Sequence, residues 1–144
     1  MSPGGVDHDM LRRHLLALDA SLTRLERHAH VSADVYAQDL DLQWAIERGL
    51  LVATQNVLDI ATHVAASAGL DVPDYGSSID ALAQLGIIPQ PFAQQLRPLA
   101  GFRNILVHAY LSVDASRVHT VLATELPELR QFAIFIERFL SGTG

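Results

Sequence analysis

Residues 39–68 read DLDLQWAIERGLLVATQNVLDIATHVAASA, and this run decides the fold. Ile46, Leu50, Ala53, Val57, Ile60 and Val64 recur at spacings of three and four, the period of an α-helix and not of a strand. Leu51, Leu58 and Ala65 widen that apolar stripe. A helix of this length spans about 45 Å at 1.5 Å per residue, and so broad an apolar surface has to be covered on more than one side. Gly49 costs a helix about 1 kcal/mol relative to Ala, so a close helix crossing is expected there. Gly69 is placed to end the helix.

The same period runs outward in both directions. Leu11, Leu15, Leu18, Leu22 and Leu25 form one apolar stripe on a helix expected over residues 6–29, with Arg12, Arg13, Asp19 and Glu26 off it. Downstream, residues 71–77 carry Pro73, Asp74 and Gly76 and read as a turn-rich loop. Ser77, Ser78 and Asp80 look like the cap and acidic first turn of a short helix over residues 79–85, closed by Gly86. Pro91 suits a helix start, and Phe92, Leu96, Leu99, Phe102, Leu106 and Val107 carry an apolar face to about Tyr110. Pro98 falls inside that pattern and predicts a kink or a split. Asp114 can cap a last segment in which Val118, Val121, Leu122, Leu126, Leu129, Phe132, Ile136 and Leu140 repeat at helical spacing, with a bend at Pro127. The expectation is an all-α, antiparallel up-and-down bundle of about four to five helices, one domain over residues 6–144 behind a disordered leader at residues 1–5.

Composition excludes several chemistries. At 144 residues and 49% hydrophobic, the chain suits one domain with a core. It has no cysteine, which removes disulfides, thiolate zinc sites, iron–sulfur clusters and a cysteine nucleophile. No apolar run nears the ~20 residues of a membrane span, and residues 1–5 lack a signal peptide's pattern, so a soluble cytoplasmic protein without a membrane partner is expected. The net charge of −6 argues against a general nucleic-acid coat but leaves room for a local basic site.

No phosphate-binding glycine loop and no His-Glu-x-x-His motif is present. Asp7-His8-Asp9 and His28-Ala29-His30 have metal-like composition, but side chains two apart on a helix diverge, so solvated helix ends are the better reading. Asp59 and His63 share a face with Gln55 and Thr62, a polar strip that reads as a wet or pairing face. The informative stretch is GFRNILVHAY, residues 101–110. Asn104 and His108 are four apart, so Asn104 can hydrogen-bond and orient the imidazole. Arg103 and His108 are separated by about 140° around the helix, a gap that a long Arg side chain or a two-fold dimer could close. On the residues alone, a surface Arg and a satisfied half-buried His are the better reading of the pattern.

Arg103, Asn104, His108 and Tyr110 resemble the HEPN superfamily motif, and more closely that of the HepT-like ribonuclease toxins of MNT/HEPN toxin–antitoxin pairs. The resemblance extends over about residues 6–140, through residues 47–53, 58–61, 79–86 and 101–104. It implies an endoribonuclease without metal or cofactor, acting as a homodimer on RNA, with Arg103 and His108 catalytic and Asn104 supporting. It also implies a nucleotidyltransferase antitoxin of the MntA type that transfers AMP onto Tyr110. An imidazole can take the 2′-hydroxyl proton, and a guanidinium can brace the phosphate as charge builds. Arg97, Arg103 and Arg117 against Asp114 would leave this stretch locally positive. Two rivals keep the fold: a non-catalytic helical module that binds a nucleotide or regulates the nucleotidyltransferase, and a structural bundle whose polar motif only satisfies a dimer interface.

Overall fold

The computed structural model describes residues 5–142, so residues 1–4 of the expected leader lie outside the described residues. Eight helices and no strand are present among the described residues. They are α1 (His8–Glu26), α2 (Ala33–Gln38), α3 (Leu40–Ser67), α4 (Tyr75–Gln84), α5 (Gln90–Leu96), α6 (Leu99–Val107), α7 (Ala115–Thr124) and α8 (Leu126–Ser141). The all-α bundle stands, divided more finely than expected.

α3 is the axis: α1, α2, α4, α6, α7 and α8 all pack on it. This is why Leu50, Ala53, Val57, Leu58, Ile60, Ala61 and Val64 are all fully buried. α1 runs antiparallel to α3, because its contacts climb α1 as they descend α3. The Asp7 N–H donates to His63 Nε2 at 3.1 Å, the His14 ring meets Asn56 Oδ1 at 2.7 Å, and Leu25 meets Gly49. A Cβ on Gly49 would stand 2.8 Å from Leu25 Cδ2, so the crossing favours glycine. Asp7 caps α1 by accepting from Met10 N–H, while His28 and His30 lie in the turn beyond the helix, which ends at Glu26 and not at residue 29.

Both prolines divide what periodicity joined. A proline lacks an N–H and its ring crowds the carbonyl four residues back. Pro98 therefore separates α5 from α6, and Pro127 sits in the first turn of α8 just after the break from α7. α4 begins earlier than expected: its N-cap is Asp74, whose carboxylate accepts from Ser77 N–H at 2.7 Å, and Ser78 is buried in its first turns. α2 is an element that periodicity missed. Ser32 caps it, it buries Tyr36, and it packs on α3 and α7. Gly69 and Gly86 end their helices at φ +79° and +75°. No helix among the described residues is long and apolar enough to cross a membrane.

Candidate active site

α6 is held by Leu99, Phe102 and Leu106, a buried stripe at spacings of three and four. Anchoring those positions turns Asn104 and His108 outward and leaves Arg103 at the edge of the packed face. The helix stops at Val107, three residues before the expected end at Tyr110. Its last turn tightens, with Ala109 N–H donating to Leu106 and Leu111 N–H to His108, three residues back in each case.

His108 takes the C-cap position and is bound twice to one atom. Its backbone N–H and its ring Nδ1 both reach the main-chain carbonyl of Asn104, at 3.2 and 2.8 Å. A carbonyl oxygen only accepts, so Nδ1 carries the hydrogen. In the neutral ring Nε2 is then the open, basic nitrogen, on an exposed side chain. Asn104 does orient the imidazole, but through its backbone and not, as expected, through its side chain. The side-chain Oδ1 of Asn104 accepts instead from Arg103 Nη1 at 3.1 Å. One residue thereby pins both members of the motif.

Arg103 is half-buried and turns toward α3 and α4. Its Nε donates to Gln55 Oε1 at 3.0 Å, and its guanidinium lies 5.4 Å from the Tyr75 ring centroid. Gln55 Nε2 donates in turn to Asp59 Oδ1 at 2.7 Å and to the Tyr75 hydroxyl at 3.1 Å. The amide therefore stands between the carboxylate and the guanidinium. Arg103 is positioned by neutral oxygens and an aromatic face, so its charge stays available to an anion. Part of the polar strip expected to be wet is thus the support of Arg103. Sequence reading missed Gln55 and Tyr75 as site residues, since nothing local links positions 48 residues apart.

Arg97 behaves differently. It pairs with Asp80 and donates to the Gly76 carbonyl at 3.2 Å, which makes it a strut between α4 and α5. Asp114 caps α7, accepting from Ser116 N–H at 3.0 Å, and its carboxyl is held low by Ser116 and, to a lesser degree, by the nearby Arg117 charge. Of the three arginines, Arg103 is therefore the one whose charge is not set against a neighbouring carboxylate. A cleft of about 530 Å³ opens between the start of α4 and α5–α6, and Asn104 is the motif residue that lines it. Tyr110 lies beyond the helix end, 78% exposed, with its ring centroid 6.2 Å from that of His108.

A family model described as ribonuclease HepT-like matches residues 18–136. The chain belongs to the ribonuclease HepT-like family. It is 26% identical over 126 residues to the mRNA nuclease HepT of Shewanella oneidensis, across 87% of this chain and 94% of that protein. To the tRNA nuclease HepT of Aphanizomenon flos-aquae it is 27% identical over 122 residues, 83% of this chain and 80% of that one. A solved structure of a tri-AMPylated Shewanella oneidensis HEPN toxin in complex with MNT antitoxin superposes with a TM-score of 0.78 at 26% identity, covering 91% of this chain and 98% of that chain. The expected likeness to the HepT-like family is borne out by these matches. The matched span runs from α1 into α8, so it includes α6, the turn after it and the supports on α3 and α4.

Proposed function

We propose that this chain is an endoribonuclease toxin that cuts RNA at a two-fold dimer cleft. Its partner is a nucleotidyltransferase antitoxin that neutralises it by AMP transfer to Tyr110. The observation that carries the reading is the double role of Asn104, which fixes Arg103 as a free cation and His108 with Nε2 outward. The nuclease relatives and the toxin–antitoxin complex support the activity and the partner.

His108 Nε2 takes the 2′-hydroxyl proton and O2′ attacks the adjacent phosphorus. The bond from phosphorus to the 5′-oxygen breaks, leaving a 2′,3′-cyclic phosphate. The 5′-oxygen receives its proton from the protonated His108 of the second protomer. Arg103 offers its unengaged Nη2 edge to the non-bridging oxygens as their charge rises. The RNA supplies the nucleophile, so the step needs no metal. In one protomer the cleft beside α6 touches the motif only at Asn104, while His108 stands exposed beyond it, which favours completion of the site by a second copy.

The embedding of Arg103 among Gln55, Asn104 and Tyr75 favours one rival, a helical regulatory module in which Arg103 is a tie and not a phosphate clamp. Purified protein and a labelled RNA separate the two. Cleavage that persists in chelator, leaves cyclic phosphate ends and is lost in His108→Ala supports the nuclease. No cleavage by well-folded dimeric protein leaves the regulatory module.

A further inference from the structure

A second cleft, about 560 Å³, lies between the end of α1 and the first half of α3. Arg24, Arg27, His28 and Arg48 line it, together with Leu25 and Gly49, and no acidic residue does. The Gly49–Leu25 crossing brings the two helices close enough for guanidinium groups from both to share the cleft. Arg24, Arg27 and Arg48 are all exposed. Among the described residues their guanidinium groups make no hydrogen bond or ion pair. None has an acid three or four residues away on its helix, where a stabilising pair would form.

The nearest acids in sequence are committed elsewhere. Glu26 is bound by Arg130 at 2.8 Å. Glu47 is half-buried and its charge is felt by Tyr36, away from the cleft. The helix dipole accounts for cations at the end of α1, but not for Arg48 in mid-helix. One turn before Arg48 stands Trp44, 82% exposed. From Arg48 the same face of α3 continues through Val52 to Gln55, the support of Arg103, two turns or about 10 Å further along the axis. Cations in a cleft, an exposed indole one turn before Arg48 and a helix face that leads from Arg48 to Gln55 suit a single nucleic-acid strand. Guanidinium groups with no acidic partner suit a phosphate backbone, and an exposed indole suits a stacked base.

We propose that this cleft is a second RNA-binding site, in which Arg24, Arg27 and Arg48 take phosphates of a single strand and Trp44 stacks a base. The strand continues along α3 to Arg103 and His108. The proposal rests on the ribonuclease reading for its ligand, and the test separates the two. The ligand probe is a 2′-O-methyl oligoribonucleotide, which lacks the attacking hydroxyl and cannot be cut. Trp44 is the single tryptophan of the chain, so its fluorescence reports occupancy directly.

Binding is expected to quench that fluorescence. Trp44→Ala, followed by anisotropy of a labelled oligonucleotide, is expected to weaken affinity about tenfold. The variant R24A/R27A/R48A is expected to lower the slope of log affinity against log salt by about 2, since each phosphate neutralised on a single strand contributes about 0.7. Arg48→Glu alone, at an exposed position, gives the same direction should the triple variant not fold. Oligonucleotide binding that leaves the fluorescence and the salt slope unchanged overturns the proposal. So does a triple variant that binds the oligonucleotide normally but no longer co-elutes with the nucleotidyltransferase, which makes the cleft a protein-docking surface. Wild-type protein that binds through these arginines yet cuts no unmodified RNA retains the site and removes the ribonuclease reading.

Discussion

The main-chain carbonyl of Asn104 accepts a hydrogen bond from His108 Nδ1 at 2.8 Å, while the Asn104 side chain accepts from Arg103 at 3.1 Å. The two jobs are separable by mutation, because only the second uses the side chain. Asn104→Ala is expected to keep His108 in place, to loosen Arg103, and to lower cleavage by about tenfold, the worth of one hydrogen bond to a charged group. His108→Ala is expected to cost about 10²–10⁴-fold, the range for a lost general base. Single-turnover cleavage of one labelled RNA by both variants measures the gap. Equal losses would mean that the Asn104 amide has a second role.

Gln55 offers a sharper test, because its amide separates Asp59 from Arg103. Gln55→Ala removes a support. Gln55→Glu places a carboxylate against the guanidinium, where it competes with phosphate, and also sets two acids four apart on α3. The expected order of activity is wild type, then Gln55→Ala, then Gln55→Glu at about 10²-fold below wild type, with thermal midpoints confirming that each variant is folded. The reverse order of the two variants would show that Arg103 acts by position alone and not by free charge.

The crossing at Gly49 gives a stability prediction. Alanine at this position gains about 1 kcal/mol of helix propensity, but its Cβ would meet Leu25 Cδ2 at 2.8 Å. Leu25 is itself buried, so it cannot swing away without disturbing its neighbours. Overpacking costs about 1–3 kcal/mol, which outweighs the gain. Gly49→Ala is expected to lower unfolding free energy by about 1 kcal/mol in urea titration, and the loss is expected to shrink when Leu25→Val is added. Strict additivity of the two substitutions would refute the clash.

The extent to which this architecture was legible in sequence follows from the range of each signal. Helical period is a local property, and it located α1, α3 and the apolar faces of α6 and α8, as well as the glycine crossing. α2 spans only six residues, too few to show a period, although its caps Ser32 and Asp39 stand in plain view. The start of α4 was misplaced because Ser77 and Asp80 imitate a cap, whereas Asp74 already satisfies the Ser77 N–H. The motif residues themselves could be singled out, since they interrupt a core pattern. Their supports could not: Gln55 and Tyr75 meet Arg103 only through the packing of α3, α4 and α6.

Arg130 on α8 ties α1 by ion pairs to Glu26 at 2.8 Å and Asp19 at 2.5 Å. The hydrogen bond from Arg130 holds the Glu26 carboxyl below its ordinary range. A carboxyl lowered in the folded state contributes stability above the unfolded value of 4.5, and loses it as pH falls through the lower folded value. Arg130→Met is therefore expected to cost stability at neutral pH and progressively less in acid. Glu26 and Arg130 are both partly in water, so the difference is at most about 1 kcal/mol after screening. Urea titrations of both proteins at neutral pH and at pH 3 read it. A constant difference across that range would assign the cost to lost packing of the Arg130 stem.

The setting of Tyr110 suits modification without a role in cutting. The residue follows the helix end, is 78% exposed, and holds its ring 6.2 Å from that of His108. Its hydroxyl is open to a second enzyme, and attack of that oxygen on the α-phosphate of ATP would release pyrophosphate and leave AMP on the ring. The added phosphate would bring negative charge and bulk beside His108, where the phosphate of an RNA has to approach. Tyr110→Phe keeps the ring and its contact with His108 but removes the nucleophile. It is expected to cut RNA at a rate within about twofold of wild type, since no acid–base step uses the phenol. When co-expressed with the nucleotidyltransferase it is expected to stay unmodified and toxic. Intact mass and peptide mapping after co-expression decide the matter. AMP on another residue, or neutralisation of Tyr110→Phe without any added mass, would assign inhibition to complex formation.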